Sequence, residues 1–187
     1  MKSVLSMAMV ALFILTGCSS DEPGPRGPEG PPGPQGPPGE GEIATIFEIE
    51  GDFTPDNDFS LFATYSDFTD VEVYESDVVQ VYLLAGQDDS NSGAPIDIWR
   101  ALPNTYYVPG GTVMYNYDYT FFDVNIFLDS DLELESLGPE YTDNQVFRVA
   151  IIPAQVYEAQ SIDLRNFNEV MSTLKIQESQ IQKLELR

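Results

Sequence analysis

The chain has 187 residues, with 31 Asp and Glu against 8 Lys and Arg, so its formal net charge at pH 7 is −23. This charge opposes docking on nucleic acid or on anionic lipid, because phosphate neutralisation requires basic side chains. The sequence contains no histidine, which excludes imidazole from any nucleophile pair or metal-ligand set. Hydrophobic residues make up 42% and aromatic residues 12% of the chain, which predicts a folded domain rather than a disordered acidic chain.

The N-terminus has the composition of a secretory leader. Lys2 precedes an apolar run over residues 4–15, which is too short to cross a hydrocarbon layer of about 30 Å comfortably as a helix. The leader ends in Leu15-Thr16-Gly17-Cys18, and this tetrapeptide resembles the lipobox of bacterial lipoproteins. The resemblance implies that residues 1–17 are a signal peptide and that Cys18, the only cysteine in the sequence, carries thioether-linked and amide-linked acyl chains such as palmitate.

Acyl chains on Cys18 would anchor the protein to a membrane without a spanning segment. Each buried methylene contributes about 0.8 kcal/mol, and two or more acyl chains hold a protein stably at the membrane. The alternative is an ordinary leader with a chance cysteine. Ser19 is not the aspartate that retains lipoproteins at the inner membrane of enteric bacteria, and Asp21-Glu22 resembles a surface-export signal of other Gram-negative lipoproteins. This resemblance implies an outer-membrane location with exposure at the cell surface; a merely solvated tether is the alternative.

Residues 18–41 are predicted to be a lipidated tether with a collagen-like stalk. Glycine recurs at every third position from Gly24 to Gly39, and proline follows five of these six glycines. This period is typical of three polyproline-II strands wound together, because only glycine fits at their common axis. The segment fits either a homotrimer or a semi-rigid monomeric stalk that reaches roughly 55 Å at about 3.1 Å per residue. Over residues 1–41 the chain resembles collagen-like bacterial surface lipoproteins, which implies presentation of a C-terminal domain rather than catalysis.

Residues 42–187 are predicted to form an acidic β-sandwich domain. Short β-branched and aromatic runs, separated by turn-forming residues, are typical of antiparallel strands. The runs cover residues 43–50, 59–65, 78–85, 96–102, 113–128 and 146–152. Residues 78–85 and 146–152 are apolar at most positions, which predicts central strands with both faces buried. The predicted fold class is mainly β: an antiparallel β-sandwich with one short C-terminal helix, preceded by the signal peptide and the extended collagen-like segment.

Two local patterns refine this prediction. Apolar residues occupy odd positions from Val113 onward and even positions after Phe121-Phe122, which predicts a bulge or a tight corner there, because one strand cannot switch faces without an inserted residue. A helical stripe with Asn166 or Asn168 as its N-cap follows near the C-terminus. Its members are Phe167, Val170, Met171 and Leu174. The last apolar residues fit either a strand or a continued helix; they are Ile181, Leu184 and Leu186.

The same region resembles uncharacterised globular domains that follow collagen-like segments in such lipoproteins. The stretches that carry this resemblance are Asp77–Leu83, Leu102-Pro103 with Tyr106-Tyr107, Tyr115–Asp118, and Phe147–Val149 with Ile152-Pro153. The resemblance implies a presented domain, and it implies no activity and no site residues.

Three acidic stretches are candidate calcium sites. Asp88–Gly93 superficially resembles a calcium loop, but the twelfth position from Asp88 is Trp99 rather than the bidentate glutamate of an EF-hand. Asp56 and Asp58 flank Asn57. A run of alternating acids would share one strand face, where mutual repulsion favours a divalent cation. It comprises Asp129, Asp131, Glu133 and Glu135. Plain solvated loops are the alternative, and we expect no metal ligand here.

Aromatic residues offer a second kind of candidate site. Trp99, Tyr106 and Tyr107 are a candidate sugar-stacking platform, because flat apolar rings with polar tips suit pyranoses; packing within the sandwich is the alternative. The same choice applies to the strand tyrosines Tyr115, Tyr117 and Tyr119. Arg148 lies in the most apolar run, and we predict a structural arginine paired with one of the many carboxylates.

We therefore expect a non-enzymatic lipoprotein whose one functional residue is Cys18, with no catalytic, cofactor-binding or metal-binding residue. The expected partner is the membrane, through the lipid anchor. A homotrimer through the Gly-X-Y segment and an unidentified surface glycan or protein are further candidates, the alternative to the trimer being a monomeric stalk; nucleic acid is excluded. A carbohydrate- or calcium-binding adhesion or uptake protein is the first alternative. A secreted hydrolase that uses paired carboxylates is the second, although acidic pairs arise by accident in so acidic a domain.

Overall fold

A computed structural model describes residues 44–70, 72–89 and 93–186. The predicted signal peptide, Cys18 and the collagen-like stalk lie outside these residues, so the statements about them stay predictions.

The described residues form nine strands and three helices. The strands are β1 (Thr45–Gly51), β2 (Ser60–Thr64), β3 (Val78–Asp88), β4 (Ile96–Ala101), β5 (Asn104–Val108), β6 (Gly111–Tyr119), β7 (Asp123–Ser130), β8 (Gln145–Ile152) and β9 (Gln182–Leu186). The helices are α1 (Pro139–Thr142), α2 (Ala154–Gln160) and α3 (Phe167–Leu174). Short 3₁₀ turns occupy Pro55–Asn57, Tyr65–Asp67, Leu134–Ser136 and Glu178–Gln180.

The strands form two packed sheets, which confirms the mainly β, sandwich-like fold. The larger sheet has the order β4-β3-β8-β1-β9, and the smaller sheet has the order β2-β7-β6-β5. Every pairing is antiparallel except that of β1 with β9, which is parallel. The sandwich is therefore not wholly antiparallel, because β9 pairs with the edge of β1 that faces away from β8 and runs in the same direction as β1.

The three central strands of the larger sheet, β3, β8 and β1, carry buried residues on both faces. In β1, Phe47 and Ile49 point into the core between the two sheets, whereas Ile46 points into a second core beneath the helices. β3 and β8 alternate in the same way, so the predicted burial of residues 78–85 and 146–152 on both faces is confirmed in its essentials. Each fully buried large apolar side chain contributes about 1.5–3 kcal/mol, and the two cores together hold the larger sheet in the middle of the domain.

The predicted short C-terminal helix is present, and two further short helices accompany it. α3 covers the predicted stripe, and Asn166 is its N-cap, because the Asn166 side chain accepts a hydrogen bond from the backbone amide of Glu169 at 3.3 Å. α1 and α2 are additional. The apolar residues of α2 that pack on the second core, Val156 and Tyr157, are only partly buried, and two such residues are too few to produce a recognisable helical stripe.

The face switch near Phe121 is a tight corner. β6 and β7 are the two arms of a hairpin in which Tyr119 pairs with Val124, and residues 120–122 form the turn. A bulge does occur, but in β3, where the register with β4 shifts between Leu84 and Gly86. Gly86 has a φ of 148° there, which a glycine adopts without strain.

Candidate functional site

The strand registers divide the domain into two ends. β1 begins at Thr45, which pairs with Ile151, and Ile151 in turn pairs with Val79 near the start of β3. The Tyr117 hydroxyl donates to the Val79 carbonyl at 3.2 Å, which brings the β6–β7 turn to the same end. We call this the proximal end, and the opposite end, where β1 and β7 finish, the distal end.

The proximal end carries an exposed aromatic patch. It consists of Tyr74, Tyr119, Phe121 and Phe122, which are 51%, 47%, 43% and 62% exposed. The rings of Phe121 and Phe122 lie 4.0 Å apart between centroids. Hydrogen bonds hold the turn that presents them, since the Thr120 hydroxyl donates to the Asp123 carboxylate at 2.8 Å and the Thr120 amide donates to the Asp123 carbonyl at 2.9 Å.

Two cavities flank this aromatic patch and share Val73 and Phe121 as lining residues. One has a volume of about 310 Å³ and reaches Glu75 and Asp77. The other has a volume of about 370 Å³ and lies beside Asp70 and Glu72. The acidic lining side chains are thus Asp70, Glu72, Glu75 and Asp77. Within the described part of the chain, neither lining includes a lysine or an arginine, so the patch has an apolar centre and an acidic rim.

Tyr65 connects the aromatic patch to the core. Its backbone amide donates to the Phe122 carbonyl at 2.9 Å, and its ring lies edge-on to Phe47 of β1 at 6.3 Å. The Tyr65 hydroxyl is buried and has no hydrogen-bond partner among the described residues. Burial raises the pKa of this hydroxyl far above its usual range, and the nearby Asp123 carboxylate raises it further. Tyr65 is therefore neutral at physiological pH and supports the turn through packing.

The acidic candidates lie at the distal end, but they do not share one strand face. β7 ends at Ser130, so Glu133 and Glu135 belong to a 3₁₀ turn and its cap. The Asp131 carboxylate accepts hydrogen bonds from the backbone amide and the hydroxyl of Thr112 at 2.6 and 3.1 Å. The hydrogen bond from the amide is the main reason that the pKa of Asp131 lies below its usual range. The proposed alternation on one strand is therefore wrong, because the chain turns after Ser130.

An open cavity of about 490 Å³ gathers some of these acids, since Asp58, Asp131, Glu133 and Glu135 line it. No group of three or more Asp, Glu, His or Cys side chains in residues 44–70, 72–89 and 93–186 has an arrangement that could hold a metal ion. In the remaining candidate stretch, Asp88–Gly93, Asp88 ends β3, and residues 90–92 lie outside the described residues.

The three aromatic residues of the predicted sugar platform do not assemble. Trp99 packs on the helical side of the larger sheet, 5.4 Å from the ring of Phe167. Tyr106 packs edge-on against Tyr115 in the core between the sheets. Tyr107 is 88% exposed and lies near the distal end, where it pairs with Thr112. Neighbours along one strand point to opposite faces, which separates Tyr106 from Tyr107.

The strand tyrosines belong to the packed face of β6. Tyr115 is 1% exposed, and its hydroxyl donates to the Tyr141 carbonyl at 2.7 Å. Tyr117 stacks on Tyr119 with 6.1 Å between the ring centroids. Burial raises the pKa of the Tyr115 and Tyr117 hydroxyls. The packing alternative is thus the one that the structure has, and only Tyr119 reaches the surface patch.

Arg148 is the centre of a polar cluster, as predicted. Its Nε donates to Glu48 at 3.0 Å, and its two terminal nitrogens donate to the two oxygens of Glu178 at 2.8 and 2.7 Å. Lys183 of β9 binds the other oxygen of Glu48. The guanidinium lies 4.2 Å from the ring centroid of Trp99. This Arg148 cluster joins β1, β8 and β9 to the helical layer, so the arginine has a structural role.

The aromatic patch is the feature that sequence reasoning missed. The signal was present in the turn, where two consecutive phenylalanines stand in a position that usually holds Gly, Asn or Asp. Sequence reasoning used Phe121 and Phe122 only as markers of a corner, because without the register nothing connects that corner with Tyr74.

No helix among the described residues combines the length and the apolar character that crossing a membrane requires. Comparison with known proteins finds no matching family model, no matching curated protein and no matching solved structure.

Proposed function

We propose that this protein is a non-enzymatic surface lipoprotein that presents an acidic β-sandwich domain on a collagen-like stalk at the bacterial outer membrane. The observation that carries the proposal is the order of three features along the chain. Cys18 closes a lipobox-like tetrapeptide, glycine recurs at every third position from Gly24 to Gly39, and the described residues that follow form a domain with its own core. The first feature suits anchoring, the second suits spacing and the third suits presentation.

The packing of the candidate residues supports presentation rather than catalysis. Arg148 and Glu48 form a buried ion pair on adjacent strands of the larger sheet, and the Tyr115 hydroxyl donates to the Tyr141 carbonyl. Asp131 holds the start of β6 through Thr112. Each of these polar groups has a structural partner that accounts for its position.

Acylation of Cys18 is tested by supplying cells with labelled palmitate and fractionating their membranes. The wild-type chain is expected to take up label and to pellet with membranes. Cys18→Ser is expected to lose both properties. A matched control, Cys18→Ser with Ser20→Cys, restores a thiol two positions away and is expected to remain unlabelled. Labelling of Cys18→Ser, or its retention in the membrane pellet, would contradict the proposed anchor.

Surface presentation is tested by treating intact cells with protease and measuring release of the domain. A surface-exposed domain is cleaved in intact cells, whereas a domain facing the periplasm is cleaved only after the outer membrane is permeabilised. A known periplasmic protein serves as the control for cell integrity. Protection of the domain in intact cells, together with cleavage after permeabilisation, would refute surface exposure and would mean that the lipid anchor lies in the inner leaflet of the outer membrane.

A further inference from the structure

We infer that the aromatic patch at the proximal end is the surface through which copies of this chain contact one another. The inference rests on the proposed collagen-like stalk, because it uses the way in which that stalk delivers its domains. The occupant of the patch is the same patch of a second copy.

Chain length leads to this occupant. The Gly-X-Y period is suited to three chains on one axis, and it ends at Gly41, three residues before Ala44. Three residues span at most about 10 Å. Chains joined in this way have their proximal ends adjacent, whatever the orientation of each domain about its own axis.

The patch lies at the same end of the domain as the start of β1. Ala44 is three residues from Phe47 along β1, which is about 10 Å at the rise of a strand. Phe47 contacts the ring of Tyr65, and the Tyr65 amide donates to Phe122. The exposed rings thus belong to the part of the domain that adjacent copies approach first.

The size of the patch fits a contact that depends on the stalk. Four aromatic side chains of about 200 Å² each, close to half exposed, present roughly 400 Å² of surface. The largest apolar patch on a typical monomeric protein has about this size, and such a patch is often functional. It falls short of the roughly 800 Å² per partner of a stable interface. Tethering raises the effective concentration to the millimolar range, which allows a small surface to associate.

The charge of the rim distinguishes a second copy from other occupants. Asp70, Glu72 and Glu75 repel the same residues of a second copy, so salt is expected to strengthen this contact by screening. A basic partner protein would instead bind more weakly in salt. Anionic lipid is repelled by the acidic rim.

The test is cross-linking through a single engineered thiol. A full-length mature chain with Cys18→Ser contains no cysteine, so Phe122→Cys in that background supplies one thiol within the patch. The matched control is Tyr107→Cys, which replaces an aromatic residue of 88% exposure at the distal end. Oxidation is expected to link Phe122→Cys chains into dimers on a non-reducing gel, more so as sodium chloride rises, and to leave Tyr107→Cys chains unlinked.

Sedimentation of the Cys18→Ser chain completes the test. A trimeric mass with cross-linking at position 122 alone supports the inference. A trimer without that cross-link overturns it and leaves the proposed stalk intact. A monomer at every salt concentration, equal cross-linking at both positions, or cross-linking that declines with salt also overturns it. Failure of the proposed function is read separately, as loss of palmitate labelling in the wild-type chain.

Discussion

Truncation of Arg148 is the sharpest test of how the domain is held together. Arg148 and Glu48 are 3% and 6% exposed, and they come from the adjacent strands β8 and β1. Arg148→Ala leaves Glu48 buried with Lys183 as its remaining ionic partner. Because a buried carboxylate that loses its partner keeps its desolvation penalty, the variant is expected to be much less stable than the wild type.

The magnitude follows from the contacts that are lost. Breaking a buried ion pair costs about 3–5 kcal/mol, and Lys183 places this case near the lower value. The loss of the guanidinium from the face of Trp99 adds about 1 kcal/mol. We therefore expect a loss of about 4 kcal/mol in the free energy of unfolding. For a chain of this length, about 3 °C per kcal/mol gives a fall in Tm of roughly 12 °C.

Urea unfolding is the appropriate assay, because Trp99 is the only tryptophan in the sequence and lies against Arg148. Far-UV circular dichroism gives an independent measure, since the substitution changes the environment of the fluorophore. Arg165→Ala is the matched control. Its partner is Asp163 in an ion pair whose arginine side chain is 88% exposed, and the variant is expected to keep the urea midpoint of the wild type, because solvent screens an exposed pair.

Replacement of both charges separates ion pairing from packing. The double variant Glu48→Gln with Arg148→Met removes the buried carboxylate together with its partner, so it is expected to be more stable than Arg148→Ala alone. A midpoint for Arg148→Ala within the range of the Arg165→Ala control would refute the argument. It would mean that Glu48 is solvated in solution or is satisfied by Lys183 alone.

Three further predictions concern backbone packing and pH. Gly51→Ala would place a Cβ 2.7 Å from Leu61 and 2.9 Å from the carbonyl of Leu186, and it is expected to lower the free energy of unfolding in urea by about 1–3 kcal/mol. In the control Gly93→Ala, the added Cβ meets nothing within 4 Å, so stability should not change. Equal urea midpoints for the two variants would contradict the packing of β9. Asp131→Asn should lower Tm at neutral pH. The pKa of the Asp131 carboxyl in the folded state lies below the ordinary 3.8, so the stabilisation by the ionised carboxylate is lost as pH falls through that pKa, and the difference in Tm from the wild type should vanish. A difference in Tm that persists in acid would rule out the carboxylate as the cause of the effect. Burial raises the pKa values of Tyr65, Tyr82 and Tyr115. The domain should therefore become less stable as pH rises above 10.0, because only the unfolded state ionises these tyrosines there. A Tm that stays constant while pH is raised and tyrosinate absorbance is recorded would contradict this.

Local pattern was sufficient for the elements whose environment is uniform along the strand or helix. The apolar runs at 78–85 and 146–152 predict buried strands because both of their faces meet a core. The stripe behind Asn166 predicts α3 because one face of that helix is buried and its cap is local. Such features depend on residues that are near one another in the sequence.

Local pattern was insufficient where two structures share one spacing. Ile181, Leu184 and Leu186 fit a helix or a strand, and pairing with β1 decides for β9. β5 was not predicted because its tyrosines follow Pro103 and resemble a surface platform, yet its pairing with β6 makes it the edge strand of the smaller sheet. The acids after Ser130 alternate as a strand would, but the chain turns there.

By itself, the sequence determined that this is an acidic, β-rich domain behind a lipobox-like leader and a Gly-X-Y segment, because composition, period and motif are properties of neighbouring residues. The tertiary structure alone decided which carboxylate meets Arg148, since Glu48 lies 100 positions away and only the β1–β8 register makes them neighbours. The same holds for the aromatic patch, since Tyr74 joins Phe121 only when the sheets pack and bring the start of β3 beside the β6–β7 turn.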